Sequence, residues 1–138
     1  MQSRLNPYIN FKGNAKQAVE FYESVFGGKL EMTTFREGGM AANQADADQI
    51  MHAMLTADNG MVLMASDVPD GMPYKPGTNI SISLSGDNES ELTGYFNKLA
   101  EGGTIAEPLT KAPWGDTFGM VTDKFGIFWM VNIAGATS

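Results

Sequence analysis

The feature that most constrains this chain is that it contains one pattern twice. Residues 7–11, "PYINF", alternate as a half-buried strand does, and "GNAKQAVEFYESVFGG" (13–28) then changes to helical spacing. Asn14 is placed to cap that helix, with Gln17 three residues on. Ala15, Ala18, Val19, Tyr22, Val25 and Phe26 share one helical face before Gly27 and Gly28 stop it. "KLEMTTF" (29–35), a polar loop, and the strands "IMHAMLT" (50–56) and "MVLMAS" (61–66) around the turn "ADNG" complete the order βαβββ. The second half repeats that order with "NISISLS" (79–85), a capped helix in "DNESELTGYFNKLAEGG" (87–103), and the strands "TIAEPL", "TFGMVT" and "GIFWMVN". Aligning the two Gly-Gly stops sets Phe96 opposite Phe21. The hairpins "TADNGMVLM" and "VTDKFGIFWM" place Met64 and Met130 each four residues after a glycine.

A duplication of this kind dictates the architecture as a whole. The expected fold is α+β: one domain over 1–138, made of βαβββ modules 1–72 and 73–138, forming a curved mixed, mostly antiparallel sheet. The helices cover one face and the other is left open as a cleft. A ferredoxin-like sandwich fits each half less well, because it has only two strands after its first helix.

Composition then removes several function classes. With no cysteine among 138 residues, disulfides and thiolate metal sites are excluded. No apolar run approaches the roughly 20 residues of a membrane span, and "MQSRLNPYIN" lacks a signal peptide's apolar core, so no membrane association is expected and a cytoplasmic location is. Nine basic against sixteen acidic residues give −7, with no basic stripe, which argues against nucleic acid as a partner. Ten methionines and fourteen aromatic residues (8 Phe, 4 Tyr, 2 Trp) suit either a Met-filled core or a Met-lined pocket. There is no Gly-rich phosphate loop and no nucleophile elbow.

Three stretches, "PYINFKGNAKQAVEFYESVFGG", "HAMLTADNGMVLMASD" and "WGDTFGMVTDKFGIFWMVN", resemble in order and spacing the vicinal oxygen chelate superfamily of glyoxalases, bleomycin-resistance proteins and extradiol dioxygenases. More specifically they resemble its PhnB-like branch, also named 3-demethylubiquinone-9 3-methyltransferase-like. The resemblance implies a homodimer, and a divalent metal held by the first and last strand of each half. Such a metal requires imidazole or carboxylate donors. The implied positions carry Met64 and Met130 on the last strands, and Asn6 or Pro7 and Asn79 or Ile80 on the first. None is His, Asp or Glu, so neither a metal nor any other cofactor is expected. A displaced site would have to recruit His52, Asp67, Asp116 or Asp123.

The remaining residues outline a cleft. Met51, Ala53 and Leu55 form the apolar face of their strand, so the chain's single histidine, His52, points the other way. It is the candidate general acid or base, histidine being the residue type most often used for that work. Tyr8 and Asn10 share the face opposite Ile9 and Phe11. Asp67, at a strand end, is expected to reach the cleft mouth or to form a turn, and Asp123 heads the turn "DKFG". Trp114, on a loop bounded by Pro113 and Gly115, is expected either to fold over a pocket or to anchor its loop. Phe118, Met120, Phe128, Met64 and Met130 give the cleft an apolar floor, and Trp129 belongs to the core.

The expected function is capture of a small apolar or aromatic ligand in a metal-free cleft by Tyr8, Asn10, His52, Met64, Asp67, Trp114, Phe118 and Met130. The alternative is a glyoxalase-like lyase, isomerase or dioxygenase with a non-standard metal site. Methyl transfer has less support, because no Gly-rich motif for an adenosyl cofactor follows the first strand. Whether the protein is an enzyme stays open at this level.

Overall fold

The computed structural model describes residues 2–41 and 43–135, and it contains the duplicated βαβββ order. In the first repeat β1 (Tyr8–Phe11), α1 (Ala15–Phe26), β2 (Lys29–Thr34), β3 (Ile50–Thr56) and β4 (Val62–Asp67) form a four-stranded sheet in the order β1-β4-β3-β2. In the second, β5 (Ile82–Gly86), α2 (Glu89–Leu99), β6 (Thr104–Lys111), β7 (Thr117–Thr122) and β8 (Phe128–Ile133) form a sheet in the matching order β5-β8-β7-β6. In each sheet the first strand runs parallel to the last and every other pairing is antiparallel. The α+β fold of paired βαβββ modules is thus the one expected. The chain divides into compact units between Lys75 and Pro76.

The apolar stripes explain why each helix lies on its sheet. All six residues assigned to the inner face of α1 are buried, and α2 buries Leu92, Phe96 and Leu99. Beneath α2, Trp129 and Val121 face each other across β8 and β7 and are 2% exposed. Truncating a buried Trp of this kind costs roughly 3–5 kcal/mol. Trp129 is also fixed in direction, because its Nε1 donates to Asp123 Oδ2 at 2.8 Å.

Three local expectations are corrected. The strand expected from Asn79 begins at Ile82. Its partner β8 starts only at Phe128, after the Asp123–Ile127 turn, and Ile82 pairs with Trp129, the second residue of that strand.

The second correction concerns the helices. Phe96 corresponds to Tyr22 rather than Phe21, since the buried sets Ala18, Tyr22, Val25 and Leu92, Phe96, Leu99 differ by a constant 74, as do the caps Asn14 and Asn88. The Gly-Gly stops nevertheless correspond, at an offset of 103 − 28 = 75, so the second repeat carries one extra residue after its helix. Gly28 and Gly103 are required at matching places. A Cβ on either would stand 2.0 Å from the Thr56 carbonyl oxygen or 2.2 Å from that of Thr122.

The third correction is that Asn14, although at the N-cap position of α1, makes no side-chain capping bond. That role falls to a residue far along the chain.

Candidate functional site

Each sheet has one face under its helix and one turned away, and strand alternation distributes the side chains between them. On the turned-away face of the first sheet, pairing places Tyr8 beside Met64, Met64 beside Met54, and Met54 beside Glu31, a row that crosses all four strands. The second sheet carries the row Ser83, Met130, Met120 and Glu107. The correspondence is regular: 130 − 64 = 66 and 120 − 54 = 66. Directly opposed side chains have Cβ atoms about 4.5–5.5 Å apart, so each face has a pair of adjoining thioethers at its centre. All four methionines are half-buried. They make a deformable, polarizable apolar surface rather than a charged one.

Beside this row the two faces differ. In the first sheet the next positions are Asn10 beside Ser66 and Thr33 beside His52. In the second they are Ser85 beside Asn132, Asn132 beside Phe118, and Phe118 beside Thr110. Phe118 is therefore the counterpart of His52, again at an offset of 66. The Tyr8 hydroxyl lies 3.4 Å from His52 Nδ1, with ring centroids 5.9 Å apart. Since β1 and β3 lie on either side of β4, about 10 Å apart at ordinary strand spacing, the Tyr8 side chain reaches across β4 to do this. Ser66 lies on that face of β4 and is only 9% exposed.

The second unit also contains a hollow of about 260 Å³. Its wall includes Thr78, Ser81, Ala106 and Thr122 with Met120 and Phe128. The polar atoms in that list are hydroxyls and the bulk is apolar, so it suits an uncharged group.

The structure therefore brings Tyr8, Asn10, His52 and Met64 onto one face, and Phe118 and Met130 onto another. Asp67 is not with them. It is 3% exposed, and its Oδ1 accepts from the backbone N–H of Gly13 at 2.8 Å and of Ala15 at 3.0 Å, while Oδ2 accepts from Ile50 N–H at 2.9 Å. Both oxygens are occupied in tying the start of α1 and the start of β3 to the end of β4. Trp114 stands in the turn between β6 and β7, closed by a Gly115 N–H to Ala112 C=O bond of 2.9 Å, and is 74% exposed. It is not among the residues lining the hollow.

Sequence reasoning passes over Met54, although the alternation that turns His52 outward places Met54 on the same face two residues later. It also passes over the role of Asp116. This carboxylate accepts from Gly135 N–H at 2.9 Å and from the Asn132 amide at 3.1 Å, and these bonds, Gly135 first, hold its pKa below the usual carboxylate value.

The residues present do not fit the divalent ion that the resemblance implies. Met64 has a phenol as its neighbour on β1 and Met130 a hydroxyl on β5, and thioether, phenol and hydroxyl are poor donors for a borderline or hard cation. Among the described residues, no group of three or more His, Cys, Asp or Glu is placed to hold a metal. No helix among them is long and apolar enough to cross a membrane.

Comparison with known proteins agrees with the fold. The family model of the Glyoxalase/Bleomycin resistance protein/Dioxygenase superfamily matches residues 4–131. The crystal structure of protein PA1353 from Pseudomonas aeruginosa is 42% identical, covers 96% of this chain and 98% of its own, and superposes with a TM-score of 0.81. The PhnB protein from Bacillus cereus is 27% identical with a TM-score of 0.71, covering 96% of this chain and all of the other. Protein YjdN of Escherichia coli K12 is 28% identical over 94% of both chains.

Proposed function

This chain belongs to the glyoxalase/bleomycin resistance/dioxygenase superfamily, and from that premise we propose that it binds a small apolar or aromatic molecule on its methionine-centred sheet faces, without a metal. One observation carries this reading. At corresponding places in both repeats, where the superfamily resemblance implies ion ligands, the chain has thioethers, and each is joined by a second thioether across the strand. A pair of methionines is a surface for dispersion contacts with a ring, including sulfur–aromatic contacts of about 0.3–1.5 kcal/mol each.

The hollow of about 260 Å³ lies just under the roughly 300–1,000 Å³ of drug-sized pockets, which favours a ligand of one or two rings. Action as a homodimer in the cytoplasm, in keeping with the family resemblance, belongs to the same proposal.

Equilibrium dialysis with naphthalene tests it. Introducing a charge by Met54→Lys or Met120→Lys requires a ring to displace water from an ammonium, which is unfavourable. At least one of the two variants is expected to lose about tenfold in affinity. Unchanged binding in both contradicts the reading.

A further inference from the structure

The two faces share their thioether centre and differ beside it, and the difference is chemically specific. At the place of Phe118 the first repeat has His52, and at the place of Ser83 it has Tyr8. A neutral Tyr–His pair carries two polar hydrogens, one on the hydroxyl and one on the ring, whichever ring nitrogen holds it. Their mutual contact uses only one. At 3.4 Å it is also longer than the 2.7–3.2 Å usual for a hydrogen bond between nitrogen and oxygen, so little is lost when it opens. Both groups are accessible: Tyr8 is 45% exposed and His52 half-buried.

We infer that the Tyr8–His52 pair is the head-group site of the first face, taking the carboxylate of an aromatic acid whose ring lies on Met54 and Met64. The inference rests on the ligand-binding reading above. A carboxylate offers two oxygens on one carbon, so the hydroxyl and the ring N–H can each donate to one of them. Hydrogen bonds to an ionised acceptor are roughly twice as strong as neutral ones. The ring of such an acid then extends from the head group along the row toward the thioethers. Glu31 ends the row on the strand away from Tyr8, and its Oε1 lies 3.0 Å from Lys29 Nζ, so that end of the row already carries an ion pair of its own. The second face, with Phe118 and Ser83, holds no equivalent pair and accepts an uncharged ring.

The test compares 2-naphthoate with naphthalene by equilibrium dialysis, on the wild-type chain and on Tyr8→Phe and His52→Phe. Tyr8→Phe removes one oxygen atom. His52→Phe installs the residue type that the second sheet carries at the corresponding place, so both are expected to fold. Wild type should bind 2-naphthoate at least about tenfold tighter than naphthalene. Each variant should lose about tenfold in 2-naphthoate affinity and bring the two ligands within about twofold of one another.

Equal affinities in wild type, or a preference that survives both substitutions, overturn the inference. So does a parallel loss for both ligands, which would reveal a packing role only. Naphthalene binding without preference withdraws the head-group site alone, whereas binding of neither ligand withdraws the ligand-binding reading and the inference with it.

Discussion

The helix of the first repeat is capped from the far end of its module, and the helix of the second from its own preceding residue. In α2, Asn88 Oδ1 accepts from Glu91 N–H at 3.0 Å, and Glu89 and Glu91 lie in the first turn, where negative charge complements the helix dipole. In α1 the first turn holds no acid and Asn14 makes no side-chain cap, so Asp67 of β4 provides both the acceptor and the charge.

The counterpart of Asp67 in the second repeat is Ile133, since 133 − 67 = 66, and the counterpart of Ile50 is Asp116, since 116 − 50 = 66. The carboxylate has therefore changed strands between the repeats. It ties β3, β4 and α1 together from one side in the first module. In the second, from the residue just before β7, it holds Asn132 and the Gly135 backbone. One fold accommodates either arrangement because the strand ends need an acceptor, and either strand can supply it.

The largest way to break this comparison is Asp67→Ala. It leaves three N–H groups without their acceptor, at about 1–3 kcal/mol each where buried, so a loss of at least about 3 kcal/mol is expected in urea denaturation. Asn88→Ala removes one local cap and is expected to cost about 1 kcal/mol. Equal costs for the two substitutions would show that the long-range clamp is no stronger than an ordinary cap.

The smallest effect concerns Asp116. Its folded-state pKa is lowered, so its stabilising contribution is present above the unfolded value of about 3.9 and is lost as pH falls through the folded value. The melting temperature of wild type should exceed that of Asp116→Asn at pH 7, and the gap should close as pH is taken below about 4. A gap that does not depend on pH contradicts the account of Asp116.

These comparisons also show what could be read from sequence. Periodic features were legible: the six-residue face of α1, the outward direction of Tyr8, Asn10 and His52, and the core position of Trp129 all follow from spacing along one element. That the second helix is capped was legible too, because the Asn88 acceptor and the Glu91 donor are three residues apart.

The clamp by Asp67 was not, because its partners lie 54, 52 and 17 residues away and a lone strand-end Asp has the same local signature as a turn former. The start of β5 was hidden for a similar reason: the alternation of "NISISLS" is real, but the length of a strand is set by its neighbour β8. For Trp114 the loop composition left two readings, a residue folded over a pocket or an anchor for its loop, and composition alone does not give the direction of a hairpin tip that stands 74% exposed.

The most direct test of the central claim, that paired methionines at corresponding places form the binding surfaces, is a methionine-methyl NMR titration with naphthalene. The signals of Met54, Met64, Met120 and Met130 should move together with saturable dependence on ligand. Those of Met40 and Met72, which are 66% and 57% exposed and belong to neither row, should stay in place. Shifts confined to Met40 and Met72, or no shift in any of the four paired residues, would contradict the account.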